Sequence, residues 1–300
     1  MKTFLLLLFF IFFLSAHAQE KIFLYPSTEK VTIDGFDRDK EPPYMDHYKA
    51  HPDTAHGGAI LICPGGAYTN LALQHEGKDV ARFFNNQGFD AFVLHYRLNN
   101  FEQQGHRFPA PYRDVTTALR IIKSKAKDLH LDGERIGILG FSAGGHLASM
   151  ASTMFLPAHK KSKDPLEKFN SRPAFSILIY PVITLAGAAA HAYSREMLLG
   201  KNPDPTLVDS LSTQNRITAH TPPTFLVYAN DDKAVPPENG ILYYEALRKF
   251  NINVNLHIYD RGGHGFGLGP KDPVLKTWPT LSIEWLKKLG FMIKTNHETK

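Results

Sequence analysis

The stretch Gly140-Phe141-Ser142-Ala143-Gly144-Gly145-His146 sets a serine between glycines two residues to either side. Before it runs the apolar segment Arg135-Ile136-Gly137-Ile138-Leu139, which reads as a strand; after it, Leu147 to Ala151 reads as a helix. Gly-x-Ser-x-Gly between strand and helix is the pattern of a nucleophile elbow. A sharp turn lifts the hydroxyl clear of the sheet, and side chains two residues away would collide, so Gly140 and Gly144 are required. The first helical turn also leaves N–H groups unpaired beside the serine. The plainer alternative is a glycine-rich turn with Ser142 as a helix cap. The two differ in whether the rest of the chain supplies a base, an acid and oxyanion donors.

Candidates for each part follow in the chain. Asp260-Arg261-Gly262-Gly263-His264-Gly265 comes after the last apolar run, and the glycines around His264 suit a tip that projects into a cleft. His264 is therefore the expected base among 15 histidines; His75, His95 and His146 are expected to be structural or exposed. Asn230-Asp231-Asp232-Lys233-Ala234-Val235-Pro236 follows another strand. Its Asp-x-x-Val-Pro spacing favours Asp232 as the acid, with Asp231 the rival and Asp260 third. Pro64-Gly65-Gly66-Ala67-Tyr68 ends the run Ala59 to Cys63, where such a fold keeps its second oxyanion donor. The expected oxyanion amides are those of Ala143 and Gly66, with Gly65 as a further candidate, and Tyr68 is assigned to substrate contact. A plain strand-to-helix turn is the alternative for that glycine pair.

These residues need a frame that brings distant segments together. Short opening strands are expected at Lys21–Tyr25 and Lys30–Ile33, and Asp34 to Gly58 reads as surface loop. Apolar-rich runs at 59–63, 90–98, 135–139, 175–180 and 224–229 predict strands, those at 59–63 and 175–180 reading as buried, with a last strand at 254–259. Helical periodicity fills the gaps at 76–86, 113–127, 238–250 and 276–289. Asp114 near the start of its helix suits the helix dipole. The alternation predicts an α/β chain with a mostly parallel sheet of about eight strands and helices on both faces. Ser142, Gly65-Gly66, Asp232 and His264 all fall just past strand C-terminal ends, where open sheets bind ligands. Their order, Ser then Asp then His, is that of the α/β-hydrolase fold. One domain is expected over 19–300, with a weakly patterned, cap-like insertion around 184–223.

Composition narrows the partners. The chain has 300 residues, 43% hydrophobic and 21% charged, with net charge +5. Its lysines are scattered without interleaved aromatics, which argues against nucleic acid. Lys2, the apolar run Phe4–Leu14 and Ser15-Ala16-His17-Ala18 read as a signal peptide cleaved near Ala18, leading to a secreted or periplasmic protein. That run is shorter than the roughly 20 residues of a spanning helix, so no membrane insertion is expected after cleavage. Cys63 is the one cysteine, expected as a buried small hydrophobe, which excludes an intrachain disulfide and offers no metal-ligand spacing. No metal or organic cofactor is expected, and the sequence sets no oligomeric state.

The motifs together resemble secreted carbohydrate-active esterases of the α/β-hydrolase superfamily, the acetyl xylan esterase and feruloyl esterase-like proteins. The resemblance is carried by Cys63–Tyr68, His75-Glu76-Gly77, Leu94–Arg97, Gly140–Ala148, Asp231-Asp232 with Val235–Asn239, and Gly263-His264-Gly265. Ala67 departs from it, standing where a third glycine is frequent. The resemblance implies removal of acetyl or feruloyl groups from plant polysaccharides or oligosaccharides, with an acylated carbohydrate or small ester as substrate and no cofactor. A serine peptidase or a general carboxylesterase of the same fold is the alternative enzyme. A non-catalytic carbohydrate-binding protein on a hydrolase fold is the alternative outside enzymes.

Overall fold

Five runs of strand-forming apolar residues are long enough to cross a sheet and carry no surface-facing polar alternation, so they must lie in its interior. A computed structural model of the chain describes residues 20–25, 42–99 and 106–293. Its strands are β1 (Glu20–Phe23), β2 (Tyr44–Tyr48), β3 (Ala59–Cys63), β4 (Asp90–His95), β5 (Ile136–Phe141), β6 (Ser176–Ile179), β7 (Thr224–Ala229) and β8 (Val254–Tyr259). The helices are α1 (Asp79–Asn86), α2 (Ala110–Ser124), α3 (Ser142–Thr153), α4 (Ala192–Leu199), α5 (Pro205–Leu211), α6 (Glu238–Lys249) and α7 (Trp278–Lys288). They form one eight-stranded sheet in the order β1-β2-β4-β3-β5-β6-β7-β8. β1–β2 and β2–β4 pair antiparallel, and all other neighbours are parallel. Every residue of β3, β5, β6 and β7 is buried, so both faces are covered there; β8, at the edge, is half exposed.

The strand order sets the position of the site. From β3 the chain moves outward to β4, then returns across β3 to β5 and moves the other way. The reversal leaves a crevice beyond the C-terminal ends of β3 and β5, the place where open α/β sheets hold ligands. Cys63 and Gly140 are register partners, so the loops that follow them start side by side.

One reading of the opening segment changes. β1 pairs with β2, and the strand expected at Lys30–Ile33 lies outside the described residues. β2 occupies part of the stretch expected to be loop. Its polar residues hid it, and the fold satisfies them in pairs: Asp46 with His95 at 2.8 Å, and buried His47 with Asp90 at 2.7 Å. The signal-peptide reading, 1–18, also lies outside the described residues. Among the described residues, no helix is long and apolar enough to cross a membrane.

Buried polar groups hold the loops near the crevice. Arg97 and Asp114 form a buried ion pair, with Arg97 Nη2–H donating to Oδ1 at 2.8 Å and the Arg97 amide to Oδ2 at 2.9 Å. Asp114 thus anchors the chain after β4 to α2, a more specific task than complementing a dipole. The segment 184–223 contributes Leu185, Leu198 and Leu211 to the core and folds into α4 and α5. Buried Asn239 ties it to α6, accepting the amides of Ile183 and Thr184 and donating to the Ala189 carbonyl.

His146, wholly buried in α3, joins two of these loops. A carbonyl only accepts, so Nε2–H donates to Leu211 O at 2.8 Å, and Nδ1 accepts from the Tyr68 hydroxyl at 2.7 Å. Burial pushes its pKa down from 6.5 to about 4. The unfolded chain therefore takes up a proton on His146 below about pH 6.5 that the folded chain refuses until about pH 4. At ~1.4 kcal/mol per pKa unit, stability falls by roughly 3 kcal/mol as pH drops through that window, and is fully retained above it. Chemical unfolding of wild type and His146→Asn at pH 7 and pH 4 tests this: the wild type loses more stability between the two. Equal losses would show that His146 does not contribute to the acid sensitivity.

Candidate active site

The turn from β5 into α3 is made by close backbone contact. A Cβ on Gly140 would lie 2.3 Å from Gly144 O, and one on Gly144 would lie 2.2 Å from Cys63 O. Neither position accommodates any side chain, which is the steric requirement read from the pattern. Ser142 itself sits at φ 51°, a left-handed conformation that a non-glycine residue adopts only when its surroundings enforce it. Val182 N–H donates to Ser142 O at 3.1 Å, one of the contacts that hold it there.

The loop after β8 brings His264 to this serine. His264 Nε2 lies 2.8 Å from Ser142 Oγ, and Nδ1 lies 2.7 Å from Asp232 Oδ2. Asp232 has no exposed side-chain surface, and its Oδ1 accepts the amides of Ala234 and Val235, both at 2.9 Å. A carboxylate held by two amides is an acceptor, so His264 carries its proton on Nδ1 and presents Nε2 to the serine hydroxyl as acceptor. Three residues from three separate loops thus make one chain of hydrogen bonds. The rivals go elsewhere. Asp231 Oδ1 accepts the Gly263 amide at 2.8 Å, which braces the loop carrying His264. Asp260 is exposed beside Arg261.

The loop after β3 lies across the serine. The Ala143 amide belongs to the first turn of α3, where no helical acceptor exists. Gly66 lines the cleft, and its carbonyl is taken by the amides of Thr69 and Asn70. Two expectations here are corrected. Gly65 cannot serve as an oxyanion donor, because its N–H is already given to Glu76 Oε2 at 2.7 Å. Tyr68 does not reach the cleft: it is 1% exposed, and its hydroxyl is spent on His146. The φ values of Ala67 and Tyr68, 55° and 64°, turn the chain so that the Tyr68 ring is swallowed by the core.

The cleft has a volume of ≈ 330 Å³ and is floored by Ser142, His264 and Glu76. Thr69 and Asn70 come from the β3 loop, while His191 and Tyr193 come from the 184–223 segment. His191 Nδ1 accepts from the Ser194 amide at 3.3 Å and lies 2.7 Å from Ser194 Oγ, so it caps α4. Its Nε2 therefore carries the proton, and burial beside His264 lowers its pKa. These four residues were not among the sequence candidates. Thr69 and Asn70 sit in an irregular loop, His191 caps α4 and Tyr193 lies in its first turn, and nothing in their local pattern marks the direction in which they face.

The chain is similar to known proteins over most of its length. A family model, BD-FAE, matches residues 45–247. An acetylxylan esterase of Xylanibacter ruminicola is 38% identical over 248 residues, 81% of this chain and 47% of that protein. An endo-1,4-beta-xylanase B of Butyrivibrio fibrisolvens is 34% identical over 72% of this chain and 33% of its own length. The chain thus spans half or less of these curated relatives. The crystal structure of an acetyl ester-xyloside bifunctional hydrolase from Caldicellulosiruptor lactoaceticus superposes with a TM-score of 0.85 at 40% identity, covering 91% of this chain and 97% of that one. The family model's match to about two thirds of the chain, with a relative 38% identical over 81% of it, places the chain in the BD-FAE family of the α/β-hydrolase superfamily.

Proposed function

We propose that the chain is a secreted serine carboxylesterase that removes acetyl groups, with feruloyl as the second acyl candidate, from plant polysaccharides or oligosaccharides. The observation that carries this is the continuous line Ser142–His264–Asp232, at 2.8 Å and 2.7 Å, opening on a cleft. In the reaction, Ser142 Oγ attacks the ester carbonyl as its proton passes to His264 Nε2. Buried Asp232 stabilises the imidazolium so formed. The amides of Ala143 and Gly66 take the negative charge on the carbonyl oxygen, a contribution of about 3 kcal/mol for a single donor. Collapse expels the sugar alkoxide, which takes the proton back from His264, and leaves an acetyl group on Ser142. Water, deprotonated by His264, then releases acetate.

A carbohydrate leaving group is supported by the polar wall of the cleft. Thr69, Asn70 and His191 offer hydrogen-bonding groups, and Tyr193, 47% exposed, offers an aromatic face at the rim. The 184–223 segment supplies His191 and Tyr193, so it acts as the cap that selects the alcohol. The names of the relatives from Xylanibacter and Caldicellulosiruptor point to the same substrate class. Secretion follows from the signal-peptide reading of residues 1–18.

Acetylated xylo-oligosaccharides are expected to release acetate, and a fluorophosphonate is expected to modify Ser142 alone. Ser142→Ala should lose at least about 10³-fold in kcat. Intact, folded protein that takes up no fluorophosphonate would end the mechanism. The two neighbouring acids separate by kinetics. Asp232→Asn should lower kcat by about 10⁴-fold, because the tautomer of His264 is lost. Asp231→Asn, which only weakens the brace on Gly263, should stay within about tenfold of wild type; the reverse ranking would transfer the acid role. Acetate and ferulate release from native plant polysaccharide, measured side by side, decides the acyl group, with acetate expected in excess.

A further inference from the structure

Glu76 is a carboxylate with 3% exposure at the floor of the cleft, and the reaction above leaves it without a task. It sits in a π-helical turn, Gln74–Lys78, just before α1. Oε2 accepts the Gly65 amide at 2.7 Å. Oε1 accepts the Tyr180 hydroxyl at 2.8 Å. That hydroxyl in turn accepts the Gly267 amide at 2.9 Å, so its one proton points at Glu76. Both carboxylate oxygens are acceptors, which is the ionised form. Burial pushes the pKa up, and the two hydrogen bonds work against that push. Tyr180 follows β6 at φ 37°, and its ring packs on His264 at 4.9 Å and on Phe266 at 4.4 Å. Gly267 is three residues beyond His264, and its carbonyl accepts Trp278 Nε1–H at 3.0 Å.

One carboxylate therefore links three strand ends: the oxyanion loop after β3, Tyr180 after β6, and the base loop after β8. We propose that Glu76, acting through Tyr180, is a positioning residue that sets the oxyanion loop and the loop carrying His264 in a fixed relation to each other. Pro64 has no N–H, and Glu76 draws the Gly65 amide away from the cleft, so the Gly66 amide becomes the loop's first donor there. At the other end, the Gly267 amide is held by the same network, which limits how far the His264 imidazole swings from Ser142. The link is made of hydrogen bonds between protein groups that place the donor and the base, so its loss is expected to act on the transition state and not on ground-state binding.

This inference rests on the serine-esterase reading, and the experiment separates the two. Glu76→Gln keeps the shape and one acceptor but turns an amide toward Tyr180; Tyr180→Phe keeps the ring on His264 and removes the hydroxyl. Both are assayed on an acetate ester and by the rate of fluorophosphonate uptake at Ser142. Each single variant is expected to lower kcat and the labelling rate by about 10- to 100-fold with KM within about threefold. The double variant should be no worse than the more damaged single one, since both break the same link. If Glu76→Gln does not fold, Tyr180→Phe alone carries the test. Wild-type kcat in the variants, a change confined to KM, or losses that multiply in the double variant would overturn the proposal. Wild-type protein that takes up no label would overturn both it and the esterase reading.

Discussion

Backbone packed directly on backbone, where β5 turns into α3, is the constraint on which the remaining architecture depends. Gly140 lies against Gly144, and Gly144 against the carbonyls of Cys63 and Pro64. Contacts this short let α3, with Ser142 at its start, begin flush with the ends of two central strands. They bring Ser142 and the β3 loop into one crevice without any intervening side chain. The strain at Ser142 is sustained because α3 is buried along its whole length and cannot relax outward.

Around that contact, position is maintained by buried polar groups more than by apolar packing. Asp232, Glu76, Asp114 and His146 are all withdrawn from water, and each has its lone pairs or protons matched. In a medium of low polarity an unmatched group of this kind is costly, so each pairing tolerates little displacement. Hydrophobic contact, by comparison, has no preferred direction. This is why a constellation drawn from four loops can be held to hydrogen-bond accuracy. It is also why the 184–223 segment, tied down by Asn239 and His146, can hold the start of α4, with His191 and Tyr193, against the cleft.

The differences between sequence reading and structure have a common origin. The stretch that holds β2 reads as loop because it is polar and carries prolines, and in the fold Asp46 and His47 each find a partner on β4. Gly65 is a further oxyanion candidate in sequence because it belongs to the glycine pair at the end of β3, yet Glu76, eleven residues on, takes its amide. The sequence reading assigns Tyr68 to substrate contact, and His146 draws it inward instead. In every instance a polar atom was satisfied by a residue that no local pattern connects to it.

The chain's periodicity and punctuation alone determined the parallel strands, the helices between them, the elbow at Ser142, and the order in which Ser142, Asp232 and His264 appear. These follow from short-range sterics and from alternation of burial, which act between residues near in sequence. Tertiary structure decided which amide faces the cleft, which of Asp231 and Asp232 meets His264, and that Glu76, His191 and Tyr193 belong to the site at all. Those outcomes depend on which groups the sheet order brings within about 3 Å of one another, and a hydrogen bond between residues far apart in sequence leaves no trace in the spacing of either.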